Sequence, residues 1–249
     1  MEPKFKLPTE TVELPSKGLL YPENSPLASG TIEMKYMTAK EEDILSNTNY
    51  MRQGTVIDKL MESLIVNKNI DFSSLLIGDK NALLIAARIL SYGKDYEVKY
   101  LDETITVDLS TFNNLPLKEE LFKDRKNEFD FKLPSTDNVV KFKLLTHKDQ
   151  RAIDAELAGL KKLNKNDSSD VTTRLKHMIL SVNGISERKD VREFVDKYLL
   201  AKDARALRLY YAEIQPDINM VFNHTFSDGR EEEIDLPIGL DFFWPDAGI

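Results

Sequence analysis

Few residues in this chain are of a type and spacing that could do chemistry. The three histidines, His147, His177 and His224, are far apart in sequence. His147 and His177 fall on predicted helices and could meet in space, but separate surface histidines are the commoner outcome. The carboxylate pairs Glu41-Glu42 and Glu119-Glu120 are sequence neighbours. Neighbours on a helix point in different directions, so these pairs read as helix-start charges or a solvated face, not as an acid–base couple. There is no cysteine, which excludes disulfides, thiolate zinc sites and cysteine nucleophiles. The glycines are scattered, and no phosphate-cradling Gly-Lys-Ser/Thr loop, dinucleotide fingerprint, serine elbow or zinc-protease motif occurs. The residues therefore predict no catalytic group, no metal ligand set and no cofactor.

The elements that would position any site read as an α+β chain, a mainly helical body with inserted antiparallel β-hairpins and another hairpin at the C-terminus. Residues 1–32 read as an extended arm, because Pro3, Pro8, Pro15, Pro22 and Pro26 each remove a backbone donor and resist helix. The first helical part, 33–95, opens with an alternating strand, Ile32 to Tyr36. Thr38-Ala39-Lys40-Glu41 then has the spacing of a capping box. An amphipathic helix over about 55–66 and an apolar helix from Asn81 to Tyr92 follow, the latter capped by Asp79 and stopped by Gly93. In 96–145, two hairpins are predicted, one turning at Asp102 and one at residues 134–138, joined by a solvated, charged connector. Residues 146–216 return to helix. Thr146-His147-Lys148-Asp149 resembles a second capping box, and Val171, Leu175, Met178, Ile179 and Val182 form a helical stripe that Gly184 ends. In 217–249, two strands flank the Asp228-Gly229 turn and an aromatic tail follows.

Two stretches carry apolar residues outside this patterning. Leu14, Pro15, Leu20, Tyr21 and Pro22 in the arm, and Phe242, Phe243, Trp244 and Pro245 in the tail, are the candidates for contact with another protein. An aromatic tail of this size buries a large area wherever it docks, and folding back into its own core is the plainer alternative.

Composition narrows the partners. Lys and Arg number 34 and Asp and Glu 42, a net charge of −8, which opposes a phosphate backbone, so no nucleic-acid partner is expected. No window approaches the roughly 20 apolar residues of a membrane span. The opening MEPKFKLPTE lacks the apolar run of a signal peptide, so the protein is expected to stay where it is made. Nothing in the residues assigns an oligomeric state.

Three stretches together carry a likeness: ELPSKGLLYPE followed by residues 37–45; Gly54 to Leu60 with Leu76-Ile77-Gly78-Asp79-Lys80-Asn81; and Ala201 to Arg208 leading to Pro237-Ile238 and Phe242-Phe243-Trp244-Pro245. In order and spacing the chain resembles the baseplate hub assembly proteins of T-even-type contractile-tailed phages, over nearly its whole length. The resemblance implies a non-catalytic, chaperone-like late protein needed to build the baseplate hub, with the tape measure protein or a hub subunit as its partner. It would work in the host cell cytoplasm during assembly. A structural hub subunit retained in the virion is the alternative. The resemblance also implies relatives with C-x-x-C pairs that clamp zinc at the hairpin tips. Here the tips read Tyr100-Leu101-Asp102-Glu103 and Asn223 to Gly229. No such site can form, and the hairpins are expected to hold by cross-strand pairs and packing alone.

Overall fold

A computed structural model describes residues 7–163 and 169–243 of the 249-residue chain. The predicted arm is not a free arm. Strand β1 (Thr9–Glu13) pairs antiparallel with β2 (Thr31–Lys35), with Val12 opposite Ile32. The loop between them closes on Leu14, whose N–H donates to the carbonyl of Gly30 at 2.8 Å. Its prolines sit where a missing donor costs nothing: Pro26, for example, opens a short 3-10 turn capped by the Ser25 side chain. Gly18 and Gly30 have φ near +74° and +73°, and their backbones abut. A Cβ on Gly18 would lie 2.6 Å from the Gly30 nitrogen, so only glycine lets the loop close. Leu14, Leu20, Tyr21 and Leu27 are buried as a result.

Helices α1 (Ala39–Leu45), α2 (Thr48–Gln53) and α3 (Val56–Leu64) follow. The capping box at Thr38 and Glu41 is present. Helix α2 was not legible: it is only six residues long, capped by Asn47 and ended by Gly54 in the left-handed region. Helix α4 (Ile77–Tyr92) supplies Leu83, Leu84 and Ile85 to the core and ends at Gly93, as the sequence predicts. It begins four residues before Asn81, however, and Asp79 lies inside its first turn, where it does not act as the cap.

Strands β3 (Asp95–Tyr100) and β4 (Glu103–Asp108) form the first predicted hairpin, turning at Leu101-Asp102. The charged connector carries a 3-10 turn whose Phe122 is buried edge-on against Phe129. Strands β5 (Phe129–Lys132) and β6 (Val139–Phe142) form the second hairpin. After helices α5 (His147–Leu163) and α6 (Asp170–Met178), the chain departs from the predicted stripe. Residues Ile179–Val182 are strand β7, not helix, and β7 pairs with β6 to complete a three-stranded antiparallel sheet. The stripe holds through Met178, after which apolar, partly β-branched residues are recruited by the open edge of β6. Helices α7 (Arg188–Lys197) and α8 (Ala201–Ile214), then the hairpin β8 (Val221–Thr225) and β9 (Glu231–Asp235), complete the order.

The fold is thus α+β, with eight α-helices among the described residues and four small antiparallel sheets. Two- and three-stranded sheets are marginal alone. The buried side chains, from Leu14 through Leu83, Val140 and Leu207 to Phe243, instead form one cluster.

Candidate functional site

The arm is fastened to the start of α4 by one buried carboxylate. The Ser16 N–H and hydroxyl donate to Asp79 at 2.9 and 2.7 Å, and the Tyr21 hydroxyl donates to it at 2.6 Å. Both hydroxyls are themselves aimed: Gly18 N–H donates to Ser16 Oγ, and Leu76 N–H donates to the Tyr21 oxygen at 2.9 Å. Two relays therefore converge on Asp79, which also faces the positive end of α4. Burial pushes the Asp79 carboxyl above the usual range, against the bonds from Tyr21 and Ser16. Burial and the neighbouring Asp79 charge push the Tyr21 phenol up. One residue before Asp79, Gly78 lets the helix touch the segment after α8. A Cβ there would sit 1.9 Å from the Pro216 carbonyl oxygen.

The residues expected to dock on another protein are mostly spent inside this one. Leu14, Pro15, Leu20 and Tyr21 are buried, and of the five arm candidates only Pro22 is exposed. In the tail, Phe242 and Phe243 are fully buried, with Phe242 edge-on to Tyr96 at 4.9 Å and to Phe243 at 5.2 Å. The expectation of an extended arm over 1–32 is corrected accordingly: Leu14, Leu20, Tyr21 and Leu27 contribute core. Trp244 and Pro245 lie outside the described residues.

Each histidine is held by its own carboxylate, and the three do not share partners. His147 is buried, which corrects the surface expectation. Its Nε2 lies 2.6 Å from Asp58, whose other oxygen takes Arg151 at 2.5 Å. Burial pushes Asp58 up, but the bond from His147 and the charges of His147, Arg151 and Lys80 outweigh it, so its carboxyl stays below the ordinary range. The pair has the form of a base and its orienting acid. Its free nitrogen, His147 Nδ1, is buried with no hydrogen-bond partner, so no nucleophile completes it among the described residues. His177 bonds Glu156 at 3.0 Å, and Arg192 bonds the same carboxylate. The Arg192 bond chiefly holds Glu156 at about 2, with His177 helping against burial.

His224 stands at the hairpin tips. Its Nε2 lies 2.9 Å from Glu103, which also accepts the Ser227 N–H at 3.0 Å. The bonds from His224 and Ser227 hold Glu103 at about 2. The Tyr100 and Phe226 rings lie 6.1 Å apart, and Arg230 covers Phe226 at 5.0 Å. The β3–β4 and β8–β9 tips are thus clasped to each other, so cross-strand pairs and packing are not all that holds them. No group of three or more His, Asp or Glu among the described residues could hold a metal ion.

A similar clasp joins the β5–β6 turn to α8. Asp203, buried in the first turn of that helix, accepts from Ser135 N–H at 2.7 Å and Thr136 Oγ1 at 3.0 Å. Sequence reasoning missed Asp79, Asp203 and Glu103 as organisers. For Asp79 and Asp203 one signal was available: an acid in a helix's first turn followed by an apolar stripe, with a Ser- or Thr-bearing loop elsewhere to donate to it.

Comparison with known protein families matches residues 8–244 to the family described as T4 bacteriophage base plate protein. No curated protein and no solved structure matches the chain.

Proposed function

We propose that this chain, which belongs to the T4 bacteriophage base plate protein family, is a non-catalytic assembly factor that helps to build the baseplate hub through contacts with the tape measure protein or a hub subunit. Family membership over residues 8–244 is the observation that carries this reading. The polar chemistry supports it: Asp79, Asp203, Asp58 and Glu103 each accept from fixed donors elsewhere in the chain. A carboxylate engaged in this way holds segments together and has little capacity left for a substrate. Such a protein works in the host cell during assembly, and Pro22, which is exposed, is a candidate for its docking surface, as Trp244 and Pro245 are by residue type.

A structural hub subunit retained in the particle is the alternative. Quantitative mass spectrometry of purified virions beside infected-cell extracts separates the two. An assembly factor is abundant in the extract and absent from the particle. A fixed stoichiometry in the particle would establish the structural subunit instead, and turnover of a small molecule by the purified protein would end both readings.

A further inference from the structure

Outside the clasps, one buried guanidinium pairs with no carboxylate among the described residues. Arg88, on the last turns of α4, is 4% exposed. Its Nη1 donates to the Gly93 carbonyl at 3.2 Å, its Nε is buried with no hydrogen-bond partner, and its guanidinium lies over the Tyr92 and Tyr96 rings at 5.1 and 5.5 Å. No carboxylate of the described residues pairs with it, although Asp241 lines the same space. A buried guanidinium with donors to spare is costly unless an anion meets it.

Arg88 lines an open groove of about 950 Å³. Residues 95–99 of β3 line it too, together with Met51, Thr106 of β4, Pro237 and residues 239–242. Alternate strand residues point to opposite faces, so five consecutive lining residues mean that the groove follows the edge of β3, and Thr106, paired with Glu97, means that it also reaches the exposed face of the hairpin. That edge is open, because β3 pairs only with β4. The two-residue turn makes Tyr100 and Glu103 a hydrogen-bonded pair, and the bond from Leu109 N–H to the Lys94 carbonyl at 2.8 Å keeps the same alternation. The N–H and C=O groups of Asp95, Glu97 and Lys99 therefore point outward along the edge. The Asp95 and Glu97 side chains lie on the exposed face, opposite Tyr96, so the charges beside Tyr96 are those of Arg88, over its ring, and Asp241.

We propose that this groove receives an extended segment of a partner protein, which adds as a third strand to β3 and sets a carboxylate on Arg88. The backbone groups supply affinity and Arg88 supplies selectivity for an acidic residue. The inference rests on the assembly reading only for which proteins carry the segment.

The test uses the full chain with two probe sets: the intact hub and tape measure proteins of the same phage, and 12-residue peptides tiling them. Glu97→Pro removes the outward N–H without touching the β3–β4 ladder, as an edge position allows. Glu97→Ala keeps that N–H, and Arg88→Met removes the charge. The expected result is an acidic peptide that binds wild type and Glu97→Ala alike, and binds Glu97→Pro and Arg88→Met about tenfold or more weakly. Hydrogen exchange should show new protection at the Glu97 and Lys99 amides in the complex. If intact proteins bind but neither Glu97→Pro nor Arg88→Met weakens them, the groove is overturned and the assembly reading stands. If no intact protein and no peptide binds wild type, both are overturned. Should Arg88→Met fail to fold, Glu97→Pro against Glu97→Ala decides alone.

Discussion

Replacing Asp79 by alanine tests how the arm is built into the body. The side chain is fully buried and accepts three bonds, from Ser16 N–H, Ser16 Oγ and Tyr21 Oη, none longer than 2.9 Å. Losing a bond to a charged acceptor costs about 1.5–3 kcal/mol. The two hydroxyls can rotate toward other acceptors but the Ser16 N–H cannot, and removing a buried charge returns some of its desolvation cost. The net loss is about 3–5 kcal/mol, a large share of the roughly 5–15 kcal/mol that holds a domain together. Tyr21→Phe removes one donor and strands the Leu76 N–H, for about 1–2 kcal/mol. Urea unfolding followed by circular dichroism measures both losses. A cycle with Ser16→Ala should show coupling of about 1 kcal/mol or more, because the two residues share bonds. Hydrogen exchange should show residues 14–30 opening before the rest. An Asp79→Ala protein within about 1 kcal/mol of wild type, with residues 14–30 still protected, would refute the clasp. The pH dependence has a definite sign. Burial raises the folded carboxyl above its ordinary value, so the folded chain binds that proton more tightly than the unfolded one. The contribution of Asp79 therefore declines as pH rises from about 3.9 through the folded value.

Other perturbations give equally definite outcomes. Gly78→Ala places a methyl 1.9 Å from the Pro216 oxygen and 2.6 Å from Asp217 Cα, both backbone atoms. It should cost about 3 kcal/mol or more in the same unfolding assay, and a neutral result would mean the two segments separate freely. Glu41 is buried, which pushes its carboxyl up, but bonds from Lys35, Thr38 and Ser63 outweigh this and hold it at about 2. Its stabilisation, at most about 3 kcal/mol, is complete above the ordinary glutamate value and is lost as pH falls toward 2, so Glu41→Gln should flatten the acid limb of the stability profile. Phe242→Ala or Phe243→Ala should each cost about 3–5 kcal/mol. Full stability after deletion of 241–249 would show that these rings are not core.

What could be read from the sequence was what the chain decides locally. The capping box of Thr38 and Glu41 needs partners three residues apart, and Thr146 with Asp149 repeats it through bonds of 3.0 and 2.9 Å. Asp228-Gly229 turns because glycine takes φ +86° at no steric cost, whereas at Leu101-Asp102 the polar residues around the turn were the signal and Leu101 takes +52° against its own preference. What escaped depends on distant partners. Ile179–Val182 continues a good helical stripe and becomes strand only because β6, some forty residues earlier, offers an edge. Asp79 has the look of a helix cap, and its oxygens are instead taken by Ser16 and Tyr21. The arm reads as detached because proline spacing reports resistance to helix and is silent about what Leu14 and Leu20 pack against. Of the candidate site, the arm and tail were legible as apolar but not as interior, and Arg88 was invisible, since a missing counter-ion is a property of the folded surroundings.

These distant bonds follow a pattern that bears on how such a chain can present a surface. Its sheets have two or three strands, too few to stand unaided, and Leu14, Leu20, Tyr21, Phe242 and Phe243 are spent on core. Stability at the hairpins comes from single acids, each reaching from one element to a loop far off in sequence: Asp79 to Ser16, Asp203 to Ser135, Glu103 to Ser227. A hairpin fixed at its tip needs no further strand for support, so its outer edge can stay unpaired without fraying. The β3–β4 hairpin is in that position, tied at Glu103 to the other tip and at Tyr96 to Phe242, while the far edge of β3 borders the groove. An edge left open on so firmly held a hairpin invites association with other chains, and the selectivity needed to limit that association is what a lone buried arginine beside it supplies.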